Sequence, residues 1–180
     1  MIRTAAREIA IQLGFAAAAS GQEPETVIAE FFEPEHYESM ADEGGLYAEA
    51  PSKKDLAFIT QCVTGVCARR EELDGIIGRY AKGWRPERIS RSAAAVLRQA
   101  IFELLYMPDI PAAASINEAV ELAKGYEDAD VVAFVNGVLG GFYRAELESP
   151  APTPAEEAPA QAEDAPAPTE EAPAEVTADA

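Results

Sequence analysis

Four blocks between residues 84 and 143 decide the fold: WRPERI (84–89), AVLRQAIFELLY (95–106), INEAVELAK (116–124) and FVNGVL (134–139). In the second block Val96, Leu97, Ala100, Ile101, Leu104 and Leu105 nearly encircle a helical axis, which predicts a buried central helix over 89–106. Pro86 fits the first turn of that helix, where its fixed φ and missing N–H cost little. Arg98 and Glu103 interrupt the apolar surface, and a charge in such a place has to be paired or hydrogen-bonded. Asn117 and Glu118 on the next helix are the expected partners, so Arg98, Glu103, Asn117 and Glu118 read as a structural polar network.

Pro108 and Pro111 stop the central helix, since neither suits a helix interior. Ser115 is then the expected cap of a helix over 116–124, in which Glu121 and Lys124 form an i,i+3 pair. Asp128 or Asp130 opens a last helix reaching about residue 147. Phe134, Val135, Val138, Leu139 and Phe142 form its apolar face. Without other information, Asp130 is a cap or dipole partner and Phe134 a core residue.

Upstream, Ala6, Ile9, Ala10, Leu13, Ala16 and Ala17 predict a first helix over 4–20 with one apolar face. Arg3 and Arg7 are four apart and share a face at its start, beside free N–H groups that attract phosphate. Two solvated charges are the plainer alternative. A short helix is expected over 25–32. Residues 33–52 hold six acids and no Lys or Arg, which reads as a solvated loop. Ser52 and Asp55 form a capping box ahead of Leu56, Ile59, Val63, Val66 and Cys67, and a further helix over 71–82 buries Leu73, Ile76, Ile77 and Tyr80.

The pattern is therefore all-α, about six to seven helices in one domain over 1–148, followed by a different kind of sequence over 149–180. Seven of the thirteen prolines and eight acids lie in that tail, with no basic or aromatic residue. Its repeats at 156, 163 and 170 have a heptad period, but the proline in each forbids a coiled coil. A disordered acidic tail is expected, able to compete with phosphates for the basic start of the first helix.

The formal net charge of −18 argues against nucleic-acid binding through bulk charge, so any such contact has to be local. No Gly-rich phosphate loop, nucleophile–base pair or metal-ligand spacing is present, which argues against an enzyme and against any cofactor or metal. Cys62 and Cys67 are five apart, about 140° around a helix, and read as buried apolar residues. No apolar run approaches the ~20 residues of a membrane span, and the start lacks a signal-peptide layout. A cytoplasmic protein is expected. The Ala-rich first helix and apolar last helix could serve a homodimer or a monomer's core.

The order of the four blocks, with DIP at 109–111 between the second and third, resembles the NusB family of transcription antitermination factors. The resemblance covers residues 3–147. It implies two helical subdomains, over about 1–83 and 84–148, and a partnership with NusE, a ribosomal protein. It implies binding to boxA-like single-stranded RNA within a transcription elongation complex, supporting transcription of ribosomal RNA operons. On this chain the implied RNA residues are Arg3, Arg7, Tyr126, Asp130 and Phe134, with an exposed aromatic stacking on an unpaired base.

The chain departs from the family's pattern at three places. Its N-terminal basic cluster is sparse, Ala93 and Ala94 stand where the family has an acid and a base facing the ribosomal partner, and Gly140-Gly141 replaces an acid–Lys pair. Weaker isolated RNA binding follows, with the partner supplying much of the affinity. A helical protein–protein module that has lost RNA binding is the second reading.

Overall fold

The central helix is set by its ends. Ser90 accepts the backbone N–H of Ala93 at 3.0 Å, and the breaker beginning at Met107 stops the helix after Tyr106. In the computed structural model, which describes residues 1, 3–42, 44–83 and 89–148, this is helix α6, Arg91–Tyr106. The expectation for Pro86, and everything expected of the tail over 149–180, lies outside the described residues. Before it come α1 (Arg3–Ser20), α2 (Pro24–Phe31), α3 (Pro34–Ala41), α4 (Lys53–Ala68) and α5 (Arg70–Tyr80). After it come α7 (Ala112–Tyr126) and α8 (Ala129–Phe142), the latter continuing in π-helical winding over Tyr143–Glu148. The described residues contain no strand, and the fold is all-α.

Two local expectations are corrected. The acidic stretch 33–52 is not simply loop, for it contains α3, an additional helix. Glu33 caps it by accepting the His36 N–H, and Pro34 occupies its first turn. Its one buried residue, Tyr37, packs in an aromatic cluster with Phe31, Phe32 and Tyr47. A single anchoring side chain leaves no periodic signal. The second correction concerns α7, which starts at Ala112, so Ser115 lies inside the helix and its hydroxyl is spent on Glu103 instead of a cap.

The Ser52–Asp55 capping box is present in both directions, with Ser52 N–H to Asp55 Oδ2 at 2.9 Å and Asp55 N–H to Ser52 Oγ at 3.3 Å. It fixes the start of α4, which packs along α1 to bury Ile9, Leu13, Phe58, Ile59, Cys62 and Val63. A second core forms where α5, α6, α7 and α8 meet, around Leu73, Leu97, Ile101, Val135, Leu139 and Phe142. Its first members, Leu73, Ile76 and Ile77, lie on α5. Each such aliphatic side chain contributes roughly 1.5–3 kcal/mol on burial.

Helix α6 touches both cores because α4 crosses it at Gly65. A Cβ there would lie 2.1 Å from Phe102 Cζ, so only glycine permits the approach. Both cysteines are free, and burial pushes the Cys62 thiol up to about 12.

Candidate nucleic-acid interface

The first turns of α1 carry the basic residues singled out by sequence, and they have opposite fates. Arg7 points inward and is 4% exposed. Its Nε donates to both Glu103 oxygens, at 2.9 and 3.1 Å, and Nη2 donates to Oε2 at 2.9 Å. Glu103 also accepts from Gln99 Nε2 at 3.1 Å and Ser115 Oγ at 2.8 Å, so a fully buried carboxylate is satisfied by three side chains. Glu118, at the rim, lies 3.5 Å from Arg7 Nη1 and accepts the Thr4 hydroxyl at 2.6 Å. This network bolts α1 to α6 and α7.

Arg98 is not a member of it. It pairs with Asp74 on α5 at 2.5 Å, and Asn117 is exposed. The reason is geometric: Arg98 and Glu103 are five residues apart and point about 140° away from each other, so one neighbouring helix cannot serve both. The counter-charge for Glu103 comes from α1, which sequence spacing could not reveal.

Arg3 stays exposed, its guanidinium carbon 4.3 Å from the centroid of the Phe58 ring. The Met1 amine lies 3.1 Å from Glu49 and 3.7 Å from Asp55, and the hydrogen bond to Glu49 raises its pKa. Asp55 is held below the usual carboxylate range, first by its hydrogen bonds from Ser52 and less by the nearby Met1 amine and Arg3 charges. Lys53 and Lys54, exposed on the first turn of α4, immediately precede Asp55. This end of the protein thus carries more cations than the opening residues alone suggest, because α4 returns to the start of α1. No signal in the linear sequence joins residues so far apart.

The aromatic residues also divide. Tyr126, the last residue of α7, is 48% exposed, and its hydroxyl donates to the Glu8 carboxylate on α1. Partial burial first, then that hydrogen bond, raises the Tyr126 pKa. Phe134 is 8% exposed and belongs to the second core. Asp130 is exposed on the first turn of α8, where a negative charge complements the helix dipole. The fold therefore brings Arg3 and Tyr126 to turns of α1 as accessible groups, while Arg7 and Phe134 are built into the interior.

A separate groove of about 770 Å³ runs between α1, α4, α5 and α6. Ile11, Phe15, Val66 and Ile77 give it an apolar lining, and Arg70 and Arg91 add positive charge. Ala94 also lines it, whereas Ala93 is fully buried.

An all-α chain with two cores joined by one central helix, a local cationic end and a half-exposed tyrosine beside its first helix describes a helical binding protein. The family model described as "NusB family" matches residues 4–144. The transcription antitermination protein NusB of Symbiobacterium thermophilum is 36% identical over 144 residues, covering 80% of this chain and 90% of that protein. Among solved structures, T. maritima NusB has a TM-score of 0.65 at 25% identity, covering 81% of this chain and 92% of that one. A structure titled as antitermination factors NusB and NusE in complex with dsRNA has a TM-score of 0.61 at 22% identity, covering 81% of this chain and 99% of that one. The chain belongs to the NusB family, the transcription antitermination proteins, and is not an enzyme.

Proposed function

We propose that this antitermination protein binds boxA-like single-stranded RNA together with NusE, in the cytoplasm, as part of a transcription elongation complex supporting ribosomal RNA operons. The observation that carries the reading is that both kinds of group are exposed near the start of α1, Arg3 on its first turn and the Tyr126 ring of α7 through its hydroxyl on Glu8 in the second, in a chain of net charge −18. One cation for phosphate and one ring for a base are the minimum of single-strand recognition. Lys53 and Lys54 extend the cationic end, and Asp130 stands at the exposed start of α8. The relative solved as a NusB–NusE–dsRNA complex supports NusE and RNA as partners. Arg7 and Phe134 serve this surface from beneath it, by fixing α1 and α8.

The Arg-flanked apolar groove that contains Ala94 is the surface we assign to NusE. Size-exclusion chromatography of the full chain with NusE and a boxA-like RNA tests the reading. A single ternary peak is expected, and Ala94→Glu, which adds charge to the groove lining, should remove NusE from it. Co-elution of NusE without RNA, at any RNA concentration, would leave only a protein–protein module.

A further inference from the structure

Glu8 follows Arg7 on α1, is half-buried, and meets Tyr126, one of the groups assigned above to RNA. A carboxylate there repels phosphate, so its presence on an RNA-binding face requires a reason. Its partner supplies one. Tyr126 ends α7, after Gly125 and before Glu127, whose backbone turns extended at φ −134° and ψ 156°. The ring at this helix terminus belongs to neither core and is about half exposed, so packing holds one side of it only. Its hydroxyl on Glu8 is the fastening. One turn on, Gln12 Oε1 accepts the Tyr47 hydroxyl at 2.7 Å and Gln12 also reaches the Tyr126 hydroxyl, so Glu8 and Gln12 together receive two tyrosines from other elements, with Glu8 the main partner of Tyr126. The Arg7 guanidinium is turned away, toward Glu103 and Glu118, and does not compete for Glu8.

We infer that Glu8 is a positioning residue for RNA binding: its carboxylate anchors the Tyr126 hydroxyl, so that the exposed ring stands as a preformed stacking platform for an unpaired base. The inference rests on the RNA reading of the preceding subsection. A ring fastened before binding does not have to be ordered during it, which is where affinity is gained. This gain exceeds the repulsion between one carboxylate and the strand, and the two contributions have opposite signs when Glu8 is removed.

The test is fluorescence anisotropy with a labelled boxA-like single strand and a scrambled control, on the full-length chain and variants whose helix content and melting match it. Glu8→Ala is expected to weaken selective binding about two- to tenfold. Glu8→Gln, whose amide oxygen still accepts the Tyr126 hydroxyl, should bind at least as well as the unmodified chain. Tyr126→Phe should lose at least as much as Glu8→Ala, because it keeps the carboxylate's repulsion and also gives up the hydroxyl's contact with Gln12, and the double variant should lose no more than Tyr126→Phe alone. Tyr126→Ala should lose more, about five- to 100-fold, since the platform itself is gone.

Tighter or unchanged binding by Glu8→Ala would overturn the inference, showing Glu8 to be a mere surface charge. Additive losses in the double variant would also overturn it. If the unmodified chain does not discriminate boxA-like from scrambled RNA, the functional reading fails first and the inference with it. Selective binding that survives Tyr126→Ala would leave RNA binding standing and overturn the platform alone.

Discussion

Arg7, in the second turn of the first helix, sits bidentate on Glu103 in the last turn of the sixth, both side chains sealed from solvent. A buried ion pair contributes little net stability against its desolvation cost, but losing one partner leaves a bare charge in the core. Glu103→Gln is therefore expected to destabilise by roughly 3–5 kcal/mol in urea unfolding, and Arg7→Met by a similar amount. The double Arg7→Met, Glu103→Met should cost less than the sum of the single changes. Additive losses would mean that the pair is not coupled.

The crossing of α4 on α6 depends on Gly65. Placing a Cβ 2.1 Å from Phe102 Cζ forces the ring or a helix to move, so Gly65→Ala should cost about 1–3 kcal/mol despite alanine's better helix propensity. Adding Phe102→Leu should recover part of that loss by making room. Thermal melting of the three variants checks both signs.

Asp55 gives stability a defined pH dependence. Its folded pKa lies below the unfolded value of about 3.9, so its contribution is complete above that value and is lost as pH falls through the folded one. Asp55→Asn should flatten the acid limb of the stability–pH curve and cost stability at neutral pH. Ser52→Ala, which removes the hydroxyl half of the box, should cost about 1 kcal/mol.

Arg3 and Arg7 make different predictions for salt. A phosphate contact by Arg3 adds about 0.7 to the magnitude of the slope of log K against log salt for a single strand. Arg3→Ala should remove that increment. Arg7→Lys, if it folds, should change affinity without changing the slope, because the Arg7 side chain faces Glu103 instead of solvent. Equal loss of slope in both variants would place Arg7 on the RNA.

Most of the helices could be read from the sequence because their stripes are long and their ends marked. Leu97, Ile101 and Leu105 define α6, Ser52 and Asp55 define the start of α4, and Pro108 and Pro111 separate α6 from α7. Helix α3 was illegible, since Tyr37 is its one buried anchor among acids that mimic a loop. The polar network was only half legible. Spacing marks Glu103 as a buried charge in need of a partner, but the partner lies 96 residues away on α1, and Arg98 turns to α5 instead. At the candidate interface, residue type marks the arginines and aromatics. Which member of each pair stays exposed depends on tertiary packing: Arg3 over Arg7, and Tyr126 over Phe134. Glu8 gave no signal at all, because a glutamate on a helix face is ordinarily a solvated charge.

The central claim is selective single-strand recognition strengthened by NusE. Fluorescence anisotropy across a salt series, with boxA-like and scrambled strands and with and without NusE, tests it most directly. The account predicts weak binding by the chain alone, a clear preference for the boxA-like strand, and a marked gain in affinity when NusE is present. Equal affinity for both strands, or no gain with NusE, would contradict it.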